Sequence, residues 1–380
     1  MSEQIVCYEI KGNNVELFCR NALGEHVVKS VSLPAVWVWN AECGKPPGKM
    51  PKPYSTRHVT GRGLYACDNA SHFTEYTFEK YTPRTKEAGW YNCTLDRYHA
   101  HCVVRGVPPS GNTGKPAKVP LMCVDIEACP GPNMEFPSAS RDPVLQIAAV
   151  VDSDVFSPCN KTKMHIFALG QLAPTLPKLD EFDPADVKAH AYETEQEMLL
   201  AFAKFTRKVN PDIVSGWNIN GFDLPYLHDR HETLFQDPPK YGKNNCNLRS
   251  YTKKNGVRSF FMHGRVVVDL LDVWRKEHTE RSYKLVEIAK KYLDATKAPV
   301  EYNEIRQLQL TTQGRSKMAT YCVKDAWLVW KLSKSRKKWT NALEMSNVTF
   351  VPLQHVFTRG QQWKVYSLIA RHASQASPTV

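Results

Sequence analysis

A chain of 380 residues can hold two or three domains with a substantial core, and its 42% hydrophobic and 23% charged residues give an ordinary globular balance. The charge of +12 is unevenly held: seven Lys or Arg and no acid lie between Lys240 and Arg265, and eight basic residues accompany the single Glu344 from Lys331 onward. Such stripes favour a polyanion, most simply nucleic acid, although a basic chain can also owe its charge to solubility alone. No run approaches a membrane span, the start has no apolar core of signal-peptide length, and the eleven cysteines form no CxxC pair. Reduced thiols in an intracellular compartment, without a membrane, are the expectation.

In chain order, the first part reads as short strands: "IVCYEI", "NVELFC", "AVWVWN", "FTEYTFE" and "YHAHCVV". Between them lies a Pro/Gly/Lys-rich loop, "CGKPPGKMPKPY" (43–54), and a second such stretch after them, "GVPPSGNTGKPAKVP" (106–120), reads as a domain boundary. "LMCVDIEA", "VLQIAAVVD" and "KMHIFALG" are then strand-like runs consistent with a meander. Thr194 with Glu197 three residues on has the form of a capping box, so a helix is expected over 194–209. "DIVSGWN" reads as a buried strand and "DLPYLHDRHETL" as the helix after it. Asn255-Gly256 between "NLRSYTKK" and "VRSFFM" signals a hairpin, and "GRVVVDLLDVWRKE" leaves it as a strand running into a helix. A long helix is expected over 316–339, with Trp327 and Trp330 in its core face. The pattern predicts a mixed α/β domain with a central sheet over 121–340.

Within "LMCVDIEACP", Asp125 and Glu127 are two apart, so an extended chain points both to one face. They repel unless a cation lies between them; a solvent-facing strand edge is the plainer alternative. Asp223 follows a Gly-containing turn at the mouth of the next helix, and Tyr321 and Asp325 are four apart on one helix face. An inward Asp on an apolar helix needs a partner for its charge. Four carboxylates suit hard cations such as Mg²⁺ or Mn²⁺, which use a few acids plus substrate phosphate. Two such ions can activate a water and stabilise a departing oxygen, which points to phosphodiester hydrolysis. Tyr321 is then a candidate to orient the water or the phosphate.

"VDIEA", "WNINGFDLPYL" and "YCVKDAWLVWKL" resemble, in order and separation, the three exonuclease motifs of family B DNA polymerases. The middle motif is the most specific, matched at Trp217, Asn218, Phe222, Asp223, Tyr226 and Leu227. "RSYKLVEIAKKYL" (281–293) and "VPLQHVFTRGQQWKVYSLIARHA" (351–373) resemble further family segments, so the likeness runs from about residue 120 to 375. The palm and fingers motifs are absent, so the resemblance implies a fragment without polymerase activity. It further implies a β-rich N-terminal domain (1–118), an RNase H-like 3′–5′ exonuclease domain (119–340) and a return segment (341–380) packing on the first.

By the same resemblance, Asp125, Glu127, Asp223 and Asp325 hold two Mg²⁺ or Mn²⁺ ions and Tyr321 completes the catalytic set. Phe136 matches a phenylalanine that stacks on an unpaired 3′ end, with a core role as the alternative. Asn218 contacts substrate or fixes the turn, Phe222 lies beside it, and Lys253, Lys254 and Arg258 flank a hairpin like the family's strand-separating one. The implied partners are a single-stranded 3′ end or primer–template and, in a full-length enzyme, deoxynucleotides and a processivity factor. The implied location is the nucleus or a viral replication site. A catalytically silent nucleic-acid-binding module, or a scaffold for replication partners, is the competing reading.

Overall fold

The computed structural model describes residues 118–155, 157, 162–179, 182–252, 256, 258–295, 300–349, 351 and 353–376, together with strands within 3–102. Those N-terminal strands are β1 (Glu3–Lys11), β2 (Asn14–Asn21), β3 (His26–Ser32), β4 (Val36–Trp39), β5 (Ser55–Val59), β6 (Leu64–Asp68), β7 (Tyr76–Thr77), β8 (Trp90–Cys93) and β9 (His101–Cys102). They pair in the orders β1-β2-β3, β5-β6-β4-β8 and β7-β9. The chain divides into two compact units, Lys118–Ala342, and Met1–Ala117 with Leu343–Val380.

The unit Lys118–Ala342 is built on β10 (Leu121–Ala128), β11 (Val144–Asp152), β12 (Lys163–Leu169), β13 (Val187–Tyr192), β14 (Ile213–Gly216) and β17 (Val266–Asp269). Their order is β13-β12-β11-β10-β14-β17. The meander β10-β11-β12 is antiparallel, whereas β14 and β17 join in parallel. Between them, β15 (Leu248–Thr252) and β16 (Arg258–Met262) form the expected hairpin, paired from Leu248↔Met262 to Thr252↔Arg258. At its tip Gly256 has φ +80°, a left-handed conformation that glycine adopts without steric cost. This mixed sheet flanked by helices is consistent with an RNase H-like exonuclease fold.

Alternation along β10 sorts its side chains. Met122, Val124, Ile126 and Ala128 join a core with Met198, Leu199 and Phe202 of helix α1 (Glu195–Val209) and Leu224 and Leu227 of α2 (Asp223–Phe235). The odd-numbered residues therefore face the other side, which is covered by α6. The helices between are α3 (Leu270–Glu277), α4 (Leu285–Leu293) and α5 (Ile305–Gln309), and α6 spans Thr312–Ser335. Helix α1 has the expected capping box, Thr194 with Glu197. Buried Glu195 at its start accepts from Val144 N at 2.7 Å and from Arg230 Nε and Nη2 at 2.9 and 2.7 Å, tying α1, α2 and β11 together.

Two elements differ from the sequence expectation. Helix α6 begins four residues before the expected start, where Thr311 accepts from Gly314 N, and it stops at Ser335. Lys337 takes φ +51°, and α7 (Lys338–Thr349) starts anew. Tertiary partners explain the break: Trp339 is buried and donates to Ser333 Oγ, and Lys338 pairs with Glu277. Strand β13, pairing with β12 in parallel, had no clear sequence signal because its side chains are only partly buried. Helices α8 (Leu353–Thr358) and α9 (Gln361–Ala376) follow. Among the described residues no helix is long and apolar enough to cross a membrane.

Gly216 ends β14 close against the backbone of β10. A Cβ there would stand 2.8 Å from the Val124 carbonyl oxygen and 2.9 Å from Ile219 Cβ. Because the first of these is sheet backbone, it cannot swing aside. Gly216→Ala is expected to lower the unfolding free energy by about 1–3 kcal/mol, read by chemical denaturation. An unchanged midpoint would show that β14 has slack.

Candidate active site

Parallel pairing of β14 with β10 runs through Leu121↔Ile213, Met122↔Val214 and Cys123↔Ser215 and then ends. Beyond it, Ile126 N donates instead to Asp223 Oδ1 at 3.1 Å. The second-motif acid therefore sits at the backbone between Asp125 and Glu127. It is carried there by the turn 217–222: the Asn218 carbonyl accepts from Gly221 N and Phe222 N, and Asn218 itself has φ +62°. Asn tolerates that left-handed conformation better than most residues.

Asp125 and Glu127 are partly exposed, and they share the β10 face that α6 covers. Asp325 of α6 is 7% exposed, and Tyr321, one turn earlier, is partly buried. Cys322 lies among these acids, its thiol within 3.6 Å of the Asp125 carbonyl. Burial pushes that thiol well up, and the negative charges of Asp125, Glu127 and Asp325 push it the same way. Asp223 is similarly held well above the usual carboxylate range by burial. Amides at Asp223 and Ile126 oppose the rise, while the charges of Asp269 and Glu127 add to it. Three of the expected acids thus act on one thiol, and Glu127 also acts on Asp223; they come from a strand, a helix start and a helix middle.

Phe136 lies on the loop 129–143, 73% exposed, its ring edge-on to Phe222 at 5.4 Å between centroids. That loop is pinned at three points. Arg306 donates to the Pro130 carbonyl, Arg230 to that of Ala139 and Tyr226 to that of Asp142. Lys253 and Lys254 lie outside the described residues. Arg258 turns back onto α2, its Nη1 donating to Asp229 Oδ2 at 2.7 Å and its guanidinium 4.9 Å from the Phe260 ring centroid. Trp330 is core, donating to Asp152, and Trp327 packs on Phe182.

A second cluster was not anticipated. Among the described residues, His228, Asp229 and Glu232 bring potential metal-ligand atoms within 4.8 Å of one another. Arg258 already supplies positive charge there, with Nη2 3.0 Å from His228 Nδ1. Burial raises the Asp229 pKa, but the Arg258 and His228 hydrogen bonds prevail and hold it below the ordinary value. A cation entering this cluster has to displace the guanidinium.

Residues 72–288 match the family model for the exonuclease domain of DNA polymerase family B. The chain belongs to DNA polymerase family B. It carries that family's exonuclease domain, of the 3′–5′ exodeoxyribonuclease class. It is 31% identical over 296 residues to the DNA polymerase delta catalytic subunit of Schizosaccharomyces pombe, covering 75% of this chain and 26% of that protein. Likeness to the Drosophila melanogaster subunit is 35% over 291 residues, covering 73% of this chain and 25% of that one. With the Mesocricetus auratus subunit it is 33% over 331 residues, covering 84% and 28%. The chain therefore spans about a quarter of the length of these relatives.

The raised Asp223 pKa has a consequence for stability. Between the ordinary 3.8 and the raised value, the folded chain keeps a proton that the unfolded chain has lost. The stability this adds is complete below the ordinary value and declines as pH rises through the raised one. Asp223→Asn keeps an acceptor for Ile126 N without that loss. In EDTA the variant is expected to melt higher at pH 8, by about 2–4 °C for each kcal/mol regained, with a smaller gain at pH 4. Melting curves at both pH values check this; a lower melting temperature at pH 8 contradicts it.

Proposed function

We propose that this chain removes nucleotides from the 3′ end of single-stranded or frayed DNA, using the group Asp125, Glu127, Asp223 and Asp325. The observation that carries the reading is the Asp223–Ile126 hydrogen bond, which ties the second-motif acid to the strand bearing the first two. The donor set is all oxygen and concentrates negative charge in a strongly basic chain, which suits Mg²⁺ or Mn²⁺. Two such ions held by these four residues would ease deprotonation of the attacking water and offset charge building on the phosphate.

The remaining residues take roles in binding and orientation. Tyr321, one helical turn from Asp325, orients the water or the phosphodiester through its hydroxyl. Phe136 offers an exposed face for the terminal base, a grip that does not depend on sequence. Asn218 and Phe222 line the turn beneath it. Lys253 and Lys254 contribute charge at the hairpin, while Arg258 acts from its partner on α2. DNA is the proposed substrate, nucleoside monophosphates the products, and the nucleus or a viral replication site the location. For a longer polymerase containing this region, deoxynucleotides and a processivity factor are the proposed partners, a reading supported by the delta catalytic subunits it resembles.

The test is shortening of a 5′-labelled single strand by the purified chain with Mg²⁺ or Mn²⁺. Asp125→Ala with Glu127→Ala is expected to lower the rate more than about 1,000-fold, roughly 4 kcal/mol of barrier, with single-strand binding kept. A rate within tenfold of the parent removes these acids from the mechanism. Binding without any digestion by the parent favours a silent nucleic-acid-binding module.

A separate comparison divides the roles on α6. Tyr321→Phe should slow hydrolysis by about 10–100-fold at an unchanged metal requirement, whereas Asp325→Ala should shift the metal titration to higher concentration. Equal shifts in the two titrations would show that the tyrosine does more than orient.

A further inference from the structure

Asp269 lies at the end of β17 and caps α3, two roles that do not require a carboxylate buried to 6% exposure. Its Oδ1 accepts from Leu271 N at 3.0 Å, the ordinary capping bond. The same oxygen accepts from Asn218 N at 3.0 Å, and Oδ2 accepts from Asn220 N at 3.0 Å. Those two amides lie about fifty positions earlier in the chain, in the turn that leads into Asp223. Asn218 is left-handed there, so its amide and that of Asn220 can address one anion from consecutive sides of a tight turn. Beyond the turn, Asp223 binds the β10 amide of Ile126. A continuous series of hydrogen bonds thus runs from Asp269 through residues 218–222 to Asp223 and β10.

We propose that Asp269 is a positioning residue for the candidate active site: its carboxylate holds the turn 217–222 and so sets where Asp223 stands against Asp125 and Glu127. This rests on the proposed exonuclease reading for its effect on rate, and on the geometry alone for its effect on the turn. Asp269 touches neither metal nor substrate in this assignment. Its own side chain is occupied by three backbone amides, which is why a single-residue change can separate capping from positioning.

Asp269→Ser makes that separation. Serine caps a helix about as well as aspartate, so α3 keeps its bond at Leu271, but its shorter side chain does not reach both turn amides. Asp272→Ser is the control, removing an acid from the same first turn of α3 without touching residues 217–222. For Asp269→Ser, kcat on a single-stranded oligonucleotide with Mn²⁺ is expected to fall about 100-fold, KM staying within threefold, because a displaced ligand alters the reacting geometry more than binding. Hydrogen exchange at Asn218 and Asn220 should quicken about tenfold, with α3 unchanged. Asp272→Ser should alter neither. Should Asp269→Ser lose its cooperative melt, Asp269→Asn replaces it. There Oδ1 still serves Asn218 and Leu271 while an amide group opposes Asn220 N, and intermediate losses are expected.

Native kcat in a folded variant overturns the proposal, whatever its exchange shows. So does a fall in kcat with unchanged exchange in the turn. If the parent itself digests nothing, the exonuclease reading fails, and exchange alone decides whether Asp269 holds the turn: quickening supports that role and native protection overturns it.

Discussion

Where β14 turns away from β10 after Ser215, the next strand amide needed at that edge, Ile126 N, is satisfied by the Asp223 carboxylate. A buried amide left without an acceptor costs about 1–3 kcal/mol, so folding of the sheet and placement of this acid are one requirement. Asp223 is thereby set from two directions: its side chain by β10, and the backbone leading into it by the turn closing on the Asn218 carbonyl. Gly216 permits the arrangement, since any side chain there would meet β10 backbone.

This constraint also concentrates like charge. Asp125, Glu127 and Asp325 all raise the pKa of one buried thiol, and Glu127 and Asp269 both act on Asp223. Mutual repulsion of this kind destabilises a fold, and a cation placed among such acids relieves it. The buried pair Arg230–Glu195 behaves differently, because each charge already has its counterpart and the glutamate also accepts Val144 N. The exposed edge at Asp229 is likewise internally neutralised by Arg258. Among the described residues, Glu195 and Asp229 thus each stand against an arginine, Arg230 and Arg258 respectively.

Period-two alternation made the shared face of Asp125 and Glu127 legible, and the four-residue spacing did the same for Tyr321 and Asp325. The capping box at Thr194 and the Asn-Gly hairpin were legible for the same reason: each depends on neighbours within a few residues. Asp269 was not, because its turn partners lie about fifty residues away and a strand-ending Asp before a helix reads simply as a cap. Nor was the break after Ser335, which follows from Trp339 folding back on Ser333 and Lys338 reaching Glu277. Arg258 was read, with Lys253 and Lys254, as a basic residue flanking the hairpin; only the packed structure reveals Asp229 as its partner.

The loop 129–143 has a thermodynamic consequence for anything that lands on Phe136. Its carbonyls at Pro130, Ala139 and Asp142 are held by α5, α2 and α2 respectively, and Tyr302 donates to that of Glu135, next to the exposed ring. Fixing a free backbone residue costs roughly 1–2 kcal/mol of conformational entropy. Here much of that loss is incurred when the domain folds rather than when a ligand arrives. A planar group meeting Phe136 therefore needs to order little beyond itself, and even a weak stacking contact can register as measurable affinity.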